Sequence, residues 1–226
     1  MQPLQPDTCY HIFNHANGFE NVFCNDENFS YFLEKYRKHI SPIAETYAYC
    51  LMPNHFHLVV RIRKRAVIEE LIQNKNNPYP TTNNNFSKVS NFGKVEKLKN
   101  EISDSEIEKF LSKQFANLFS SYTQSFNKVY HRMGSLFIKN FKREPIDNKT
   151  HFINAIVYTH RNPVHHGFCR YYEEWNFSSY NEIINGVCTF VNAEGLLKMF
   201  GGLEPFKETH SLSRKNFEES VHFEIP

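Results

Sequence analysis

Only three residues, Met52-Pro53-Asn54, separate two segments that both read as strands. Residues 46–51 are rich in Tyr and Ala, and residues 55–63 alternate well enough for a strand. A joint that short, built on Pro and Asn, leaves the two segments no option but an antiparallel hairpin. Residues 8–14 form another expected strand, followed by an Asn17-Gly18 turn. Asp26 is placed to cap a helix over 27–39 that carries Phe29, Phe32, Leu33 and Tyr36 on one face and stops before Pro42.

Beyond the hairpin, Asp104 or Ser105 is the expected cap of a long helix to about His131. Ile107, Phe110, Leu111, Phe115, Leu118 and Phe119 fall near helical spacing along it, and Gly134 breaks it. Residues 136–146 read as a strand or strand pair. Thr150 opens a helix through about Asn162, with Phe152, Ile153, Ile156 and Val157 as its apolar face, and Pro163 is expected to end it. The order strand, helix, strand, strand, helix, strand predicts an α+β fold: a ferredoxin-like βαββαβ antiparallel sheet with its third strand central and one additional helix.

Residues 64–100 break the pattern. Asn74, Asn76, Asn77, Asn83, Asn84 and Asn85 gather around Pro78 and Pro80, which reads as a loop-like insertion. Residues after Gly167 are mixed and partly helical. The expected organisation is one domain over 1–185 that includes the insertion, and a C-terminal extension over 186–226.

Composition narrows the class. Hydrophobic residues make up 40% of the 226, enough for a core, and this excludes disorder throughout. The aromatic share is 15%, with 22 Phe and 12 Tyr, so rings are available for packing and for stacking on bases. The net charge of +2 decides little, but 114–143 contains no Asp or Glu while carrying Lys128, Arg132, Lys139, Lys142 and Arg143. An acid-free basic run interleaved with Phe and Tyr fits a phosphate backbone, or a solvated helix face. The five cysteines form no C-x-x-C pair, which argues against a disulfide framework and a zinc ribbon and favours reduced thiols in the cytoplasm. No apolar run reaches transmembrane length and Met1-Gln2-Pro3-Leu4 lacks a leader-like start, so a soluble, intracellular protein without a membrane partner is expected.

Two constellations carry chemistry. His55 and His57 are two apart on a strand and so project from one face, where two imidazoles can chelate a divalent ion; two half-exposed histidines are the plainer alternative. Tyr158 and Asn162 are four apart on a helix and share a face. A tyrosine can be a nucleophile, and a carboxamide oxygen is a competent ligand for Mg²⁺ or Mn²⁺. The same Tyr/Asn spacing occurs at Tyr10/Asn14, Tyr79/Asn83 and Tyr172/Asn176. The first lies on a strand, the second in the Asn-rich insertion, and the third beside Glu173 and Glu174, which would repel a phosphate.

The stretch Leu51-Met-Pro-Asn-His-Phe-His-Leu-Val-Val60 resembles the HUH motif of single-tyrosine transposases, and within them the REP-associated tyrosine transposases. Tyr158-Thr-His-Arg-Asn-Pro-Val-His-His-Gly167 resembles the segment that holds the nucleophile in that group. Glu174-Trp-Asn-Phe-Ser-Ser-Tyr180 resembles its downstream Trp-x-x-Ser-Ser-Tyr stretch, and Tyr10-His-Ile-Phe-Asn14 its first strand. The resemblance runs over roughly residues 8 to 185 in the right order.

That resemblance implies a metal-dependent enzyme that nicks and joins single-stranded DNA, a transposase or site-specific endonuclease. Tyr158 would be the nucleophile, forming a 5′-phosphotyrosine. His55, His57 and Asn162 would hold Mg²⁺ or Mn²⁺. Lys128, Arg132, Lys139, Lys142 and Arg143 would contact single-stranded or hairpin DNA. It leaves open both a homodimer and a monomer, and two rival functions: a hairpin-DNA-binding protein without turnover, and a metal hydrolase that uses water.

Overall fold

The computed structural model describes residues 2–76 and 101–222. Four strands, β1 (Cys9–His15), β2 (Ala44–Met52), β3 (His55–Ile62) and β4 (Lys142–Ile146), form one sheet in the order β2-β3-β1-β4. All three pairings are antiparallel. This is the ferredoxin-like arrangement expected, with β3 inside the sheet.

Helices α1 (Asp26–His39) and α3 (Asp104–Val129) pack on one face of the sheet, and α4 (Lys149–His165) packs on the other, against β2 and β3. Alternation along β3 explains why both faces are covered. Phe56 points toward α1 and α3, where it meets Phe32, Phe119 and Phe137, whereas His55 and His57 point toward α4. Tyr36 and Tyr122 are buried with their hydroxyls satisfied, by Thr46 Oγ1 at 2.7 Å and by the Val22 carbonyl at 2.6 Å.

Several local expectations are corrected. The cap of α1 is Asn25, whose side chain accepts from the Asn28 amide, not Asp26. The cap of α3 is Ser103, in a reciprocal capping box with Glu106 that satisfies two amides at once. Within 136–146 only Lys142–Ile146 forms a strand; Phe137 makes an isolated bridge with Ala16. Residues expected as the start of the loop-like insertion fold instead as α2 (Arg65–Asn76). Ile68 is buried within the core, and Arg65, paired with Glu69 one turn along, ties the helix to Asp104 and the Ile102 carbonyl. The rest of that insertion, including Asn83, Asn84, Asn85 and the Tyr79/Asn83 pair, lies outside the described residues.

Pro163 does not end α4. It sits in the last turn, where its missing N–H costs one hydrogen bond. His166 N–H still donates to the Asn162 carbonyl at 3.0 Å, and Phe168 N–H to the Pro163 carbonyl at 2.9 Å. Gly167, at φ +70°, then supplies the left-handed residue that closes the helix.

After α4 come a 3₁₀ turn at Tyr172–Glu174 and helices α5 (Ser179–Asn185), α6 (Ala193–Phe200) and α7 (Leu203–His222). This part of the chain seals the outer edge of β2: Leu51 N–H donates to the Phe177 carbonyl, and Asn192 N–H to that of Thr46. Leu196 and Phe206 are fully buried in the same core as the sheet, so residues of the C-terminal extension share that core. No helix among the described residues is long and apolar enough to cross a membrane.

Candidate active site

Register builds the site. Phe13 pairs with His57 and His15 with His55, so β1 and β3 together present His11, Phe13, His15, His55 and His57 on the α4 face. The imidazoles of His15 and His55 stack at 4.5 Å, and those of His11 and His57 lie edge to edge, nearly coplanar, with centroids 5.1 Å apart. The plainer alternative, two half-exposed histidines, does not hold: His55 and His57 are only 4% and 6% exposed, because α4 lies over them.

Asn162 comes down from α4 onto this face and is 2% exposed. Its Nδ2 donates to the Tyr158 carbonyl at 3.0 Å, which fixes the amide and turns Oδ1 toward His55 Nε2, 3.5 Å away. On its other side His55 donates from Nδ1 to Asn54 Oδ1 at 2.7 Å. With its proton on Nδ1, His55 Nε2 carries a bare lone pair and faces another acceptor. Two acceptors at this separation repel unless a cation lies between them. Their spacing suits two ligands at roughly 2.1 Å from one shared ion. Two imidazoles and a carboxamide oxygen thus fit a divalent metal. Among the described residues no group of three or more His, Cys, Asp or Glu side chains could hold one.

Burial favours the neutral form of these histidines, the form in which an imidazole can bind a metal. Burial, then repulsion from His15, pushes His55 down to about 4. Burial, then repulsion from His11 and His55, holds His57 well below the ordinary range. His11 is pushed down to about 4 by burial and then by His151.

Tyr158 lies beside these rings. It is 42% exposed, and its ring meets His57 and His11 edge-on at 5.4 and 5.7 Å. A cavity of about 480 Å³ beside it is lined by Asn154, Arg161, Thr209 and Ser213. The other Tyr/Asn pairs do not match this placement: Tyr10 is buried with its hydroxyl on the Pro3 carbonyl, and Tyr172 is buried with its hydroxyl on that of His210.

The acid-free basic run is divided between surfaces. Lys142 pairs with Phe13 and so lies in the same row as His57. Arg143 faces the other way, stacks 5.2 Å from Phe141 and, with Lys139, lines a cavity of about 600 Å³ against α3. Lys139 and Lys142 are exposed. Lys128 is in the last turn of α3. Arg132 is engaged within the fold, paired with Glu20 and bonded to Asn127 Oδ1 and the Ser135 carbonyl.

The sequence pattern gave no role to His11, His15, Asn54 or His166, whose ring meets His55 at 5.1 Å. Alternation along residues 8–14 would have put His11 on one face of β1. It could not give the register that sets His11 beside His57.

Fold and site together define an α+β protein with a histidine-rich sheet face beneath a helix that carries an exposed tyrosine. No protein-family profile matches the sequence, and no curated protein matches it. A solved structure of a REP-associated tyrosine transposase bound to a REP hairpin aligns over 84% of this chain and 87% of that chain, with 13% identity and a TM-score of 0.48. A likeness at that level carries no weight for function.

Proposed function

We propose that this protein is a metal-dependent enzyme that nicks and rejoins single-stranded DNA through a covalent bond to Tyr158. The observation that carries the reading is the placement of an exposed Tyr158 one helical turn from Asn162, whose oxygen confronts the bare Nε2 of His55. The motif resemblance at residues 51–60 and 158–167 supports it independently of that geometry.

His55, His57 and Asn162 would hold Mg²⁺ or Mn²⁺, and the bound ion would supply Lewis acidity at the scissile phosphate. The Tyr158 hydroxyl attacks phosphorus. A new phenolic O–P bond forms, the bond from phosphorus to the 3′ oxygen breaks, and the phenolic proton is made up on that oxygen. The products are a 5′-phosphotyrosine and a free 3′-hydroxyl. One phosphodiester is exchanged for another, so the reverse attack rejoins DNA without ATP. Holding Tyr158 and Asn162 on the same helix fixes nucleophile and ligand at one distance.

Lys139 and Lys142 are exposed cations suited to the DNA backbone, Lys142 in the row of His57. A test is incubation with labelled single-stranded hairpin oligonucleotides and Mn²⁺. Nicking that leaves a 3′-hydroxyl supports the reading, and binding without nicking across many hairpins would replace it with a non-catalytic DNA-binding role.

A further inference from the structure

His11 and His57 join through their ring nitrogens: His11 Nε2 lies 2.9 Å from His57 Nδ1, with both rings buried. A contact that short between two imidazole nitrogens needs one proton between them. It has two forms, and they differ in what they leave on the far side of His57. If His11 donates, His57 carries its proton on Nε2 and has no lone pair there. If His57 donates from Nδ1, Nε2 is bare.

We propose that His11 is a positioning residue that accepts from His57 Nδ1, so fixing the tautomer and ring plane of His57 with Nε2 as a free acceptor. One observation favours this form. His55, two residues along on the same face, is held in the same way, its Nδ1–H on Asn54 Oδ1 and its Nε2 bare. Each histidine of the pair would thus have its own acceptor behind it, Asn54 for His55 and His11 for His57, as metal-bound imidazoles commonly do.

The inference rests on the metal reading only for its purpose; the tautomer is a property of the metal-free protein. Long-range ¹H–¹⁵N spectra of ¹⁵N-histidine-labelled, metal-free protein, with the His57 signals assigned through His57→Gln, should show His57 protonated on Nδ1. A wild type protonated on Nε2 overturns the proposal whatever the protein does with metal. In His11→Ala the His57 proton should move to Nε2, and Mn²⁺ affinity followed by electron paramagnetic resonance should fall roughly 10- to 100-fold. His11→Gln keeps an acceptor oxygen and should restore both, with thermal melts confirming that each variant folds. Loss of affinity in both variants with the His57 tautomer unchanged would make His11 itself a ligand and overturn the positioning role. A wild type with the expected tautomer but no Mn²⁺ binding would contradict the metal reading and leave the His11–His57 arrangement standing.

Discussion

Asn162 Nδ2 donates to the Tyr158 carbonyl at 3.0 Å, and this one bond both fixes the amide and aims Oδ1 at His55. The backbone of the proposed nucleophile therefore orients a ligand of the proposed metal. The bond links sequence to chemistry, because a spacing of four on a helix is what brings the two residues together.

Removing that oxygen gives the first prediction. Asn162→Ala should lower Mn²⁺ affinity at least about tenfold and reduce nicking, while Asn162→Asp, which keeps an oxygen and adds charge, should bind Mn²⁺ at least as well as wild type. Isothermal titration with Mn²⁺ measures both. Equal affinity in wild type and Asn162→Ala would remove Asn162 from the ligand set.

A second prediction concerns DNA. Lys139→Glu with Lys142→Glu should weaken hairpin binding and flatten its dependence on salt, by about one unit of log–log slope for each phosphate that is no longer neutralised. Arg132 is paired with Glu20, so Arg132→Gln should change the slope less than the double variant does. Fluorescence anisotropy over a salt series provides the slopes; an unchanged slope in the double variant would move the DNA to another face.

The C-terminal helices give a third. Phe206 is fully buried, packed against His160, Tyr180, Phe200 and His210. Phe206→Ala should cost about 3–5 kcal/mol in urea unfolding. A loss below about 1 kcal/mol would show that α7 contributes little to the domain's stability.

His210 makes the same region sensitive to acid. Burial pushes it down to about 4, where it bonds to the Phe206 carbonyl and to His160, with Tyr172 and Tyr180 packed around it. The unfolded chain takes up the proton more readily than the folded one. The associated stability is therefore full above the ordinary histidine value of 6.5 and is lost as pH falls from there toward 4. Melting temperatures from pH 7 to 4 should drop through that window, and less steeply in His210→Gln. Parallel profiles would assign the acid sensitivity to other groups.

Most of the sheet was legible from the sequence, because alternation and the short Met52-Pro53-Asn54 joint are local signals. Pro163 misled because the rule against proline in helices applies to the interior, whereas in the last turn only one bond is lost. Residues 65–76 misled because their asparagines, at Asn74 and Asn76, fall at the end of a helix that Ile68 and Arg65 anchor. At the site, the H-x-H pair and the Tyr158/Asn162 spacing were readable within single elements. The contributions of His11, His15 and His166 were not, since they depend on how β1 registers with β3 and where α4 ends. The burial of His55 and His57 was hidden for the same reason: it is set by α4, about 100 residues further along the chain.

The most direct test is the covalent bond. Tyr158→Phe removes one exposed oxygen and should leave fold, Mn²⁺ affinity and DNA binding intact. Wild type incubated with labelled single-stranded hairpin DNA and Mn²⁺ should give a protein–DNA band that survives SDS, with the label mapping to the Tyr158 peptide, and Tyr158→Phe should give none. An equal band from Tyr158→Phe, mapped to another residue, would contradict the assignment of the nucleophile. DNA cleaved by wild type and Tyr158→Phe alike, with no covalent band from either, would contradict the covalent mechanism.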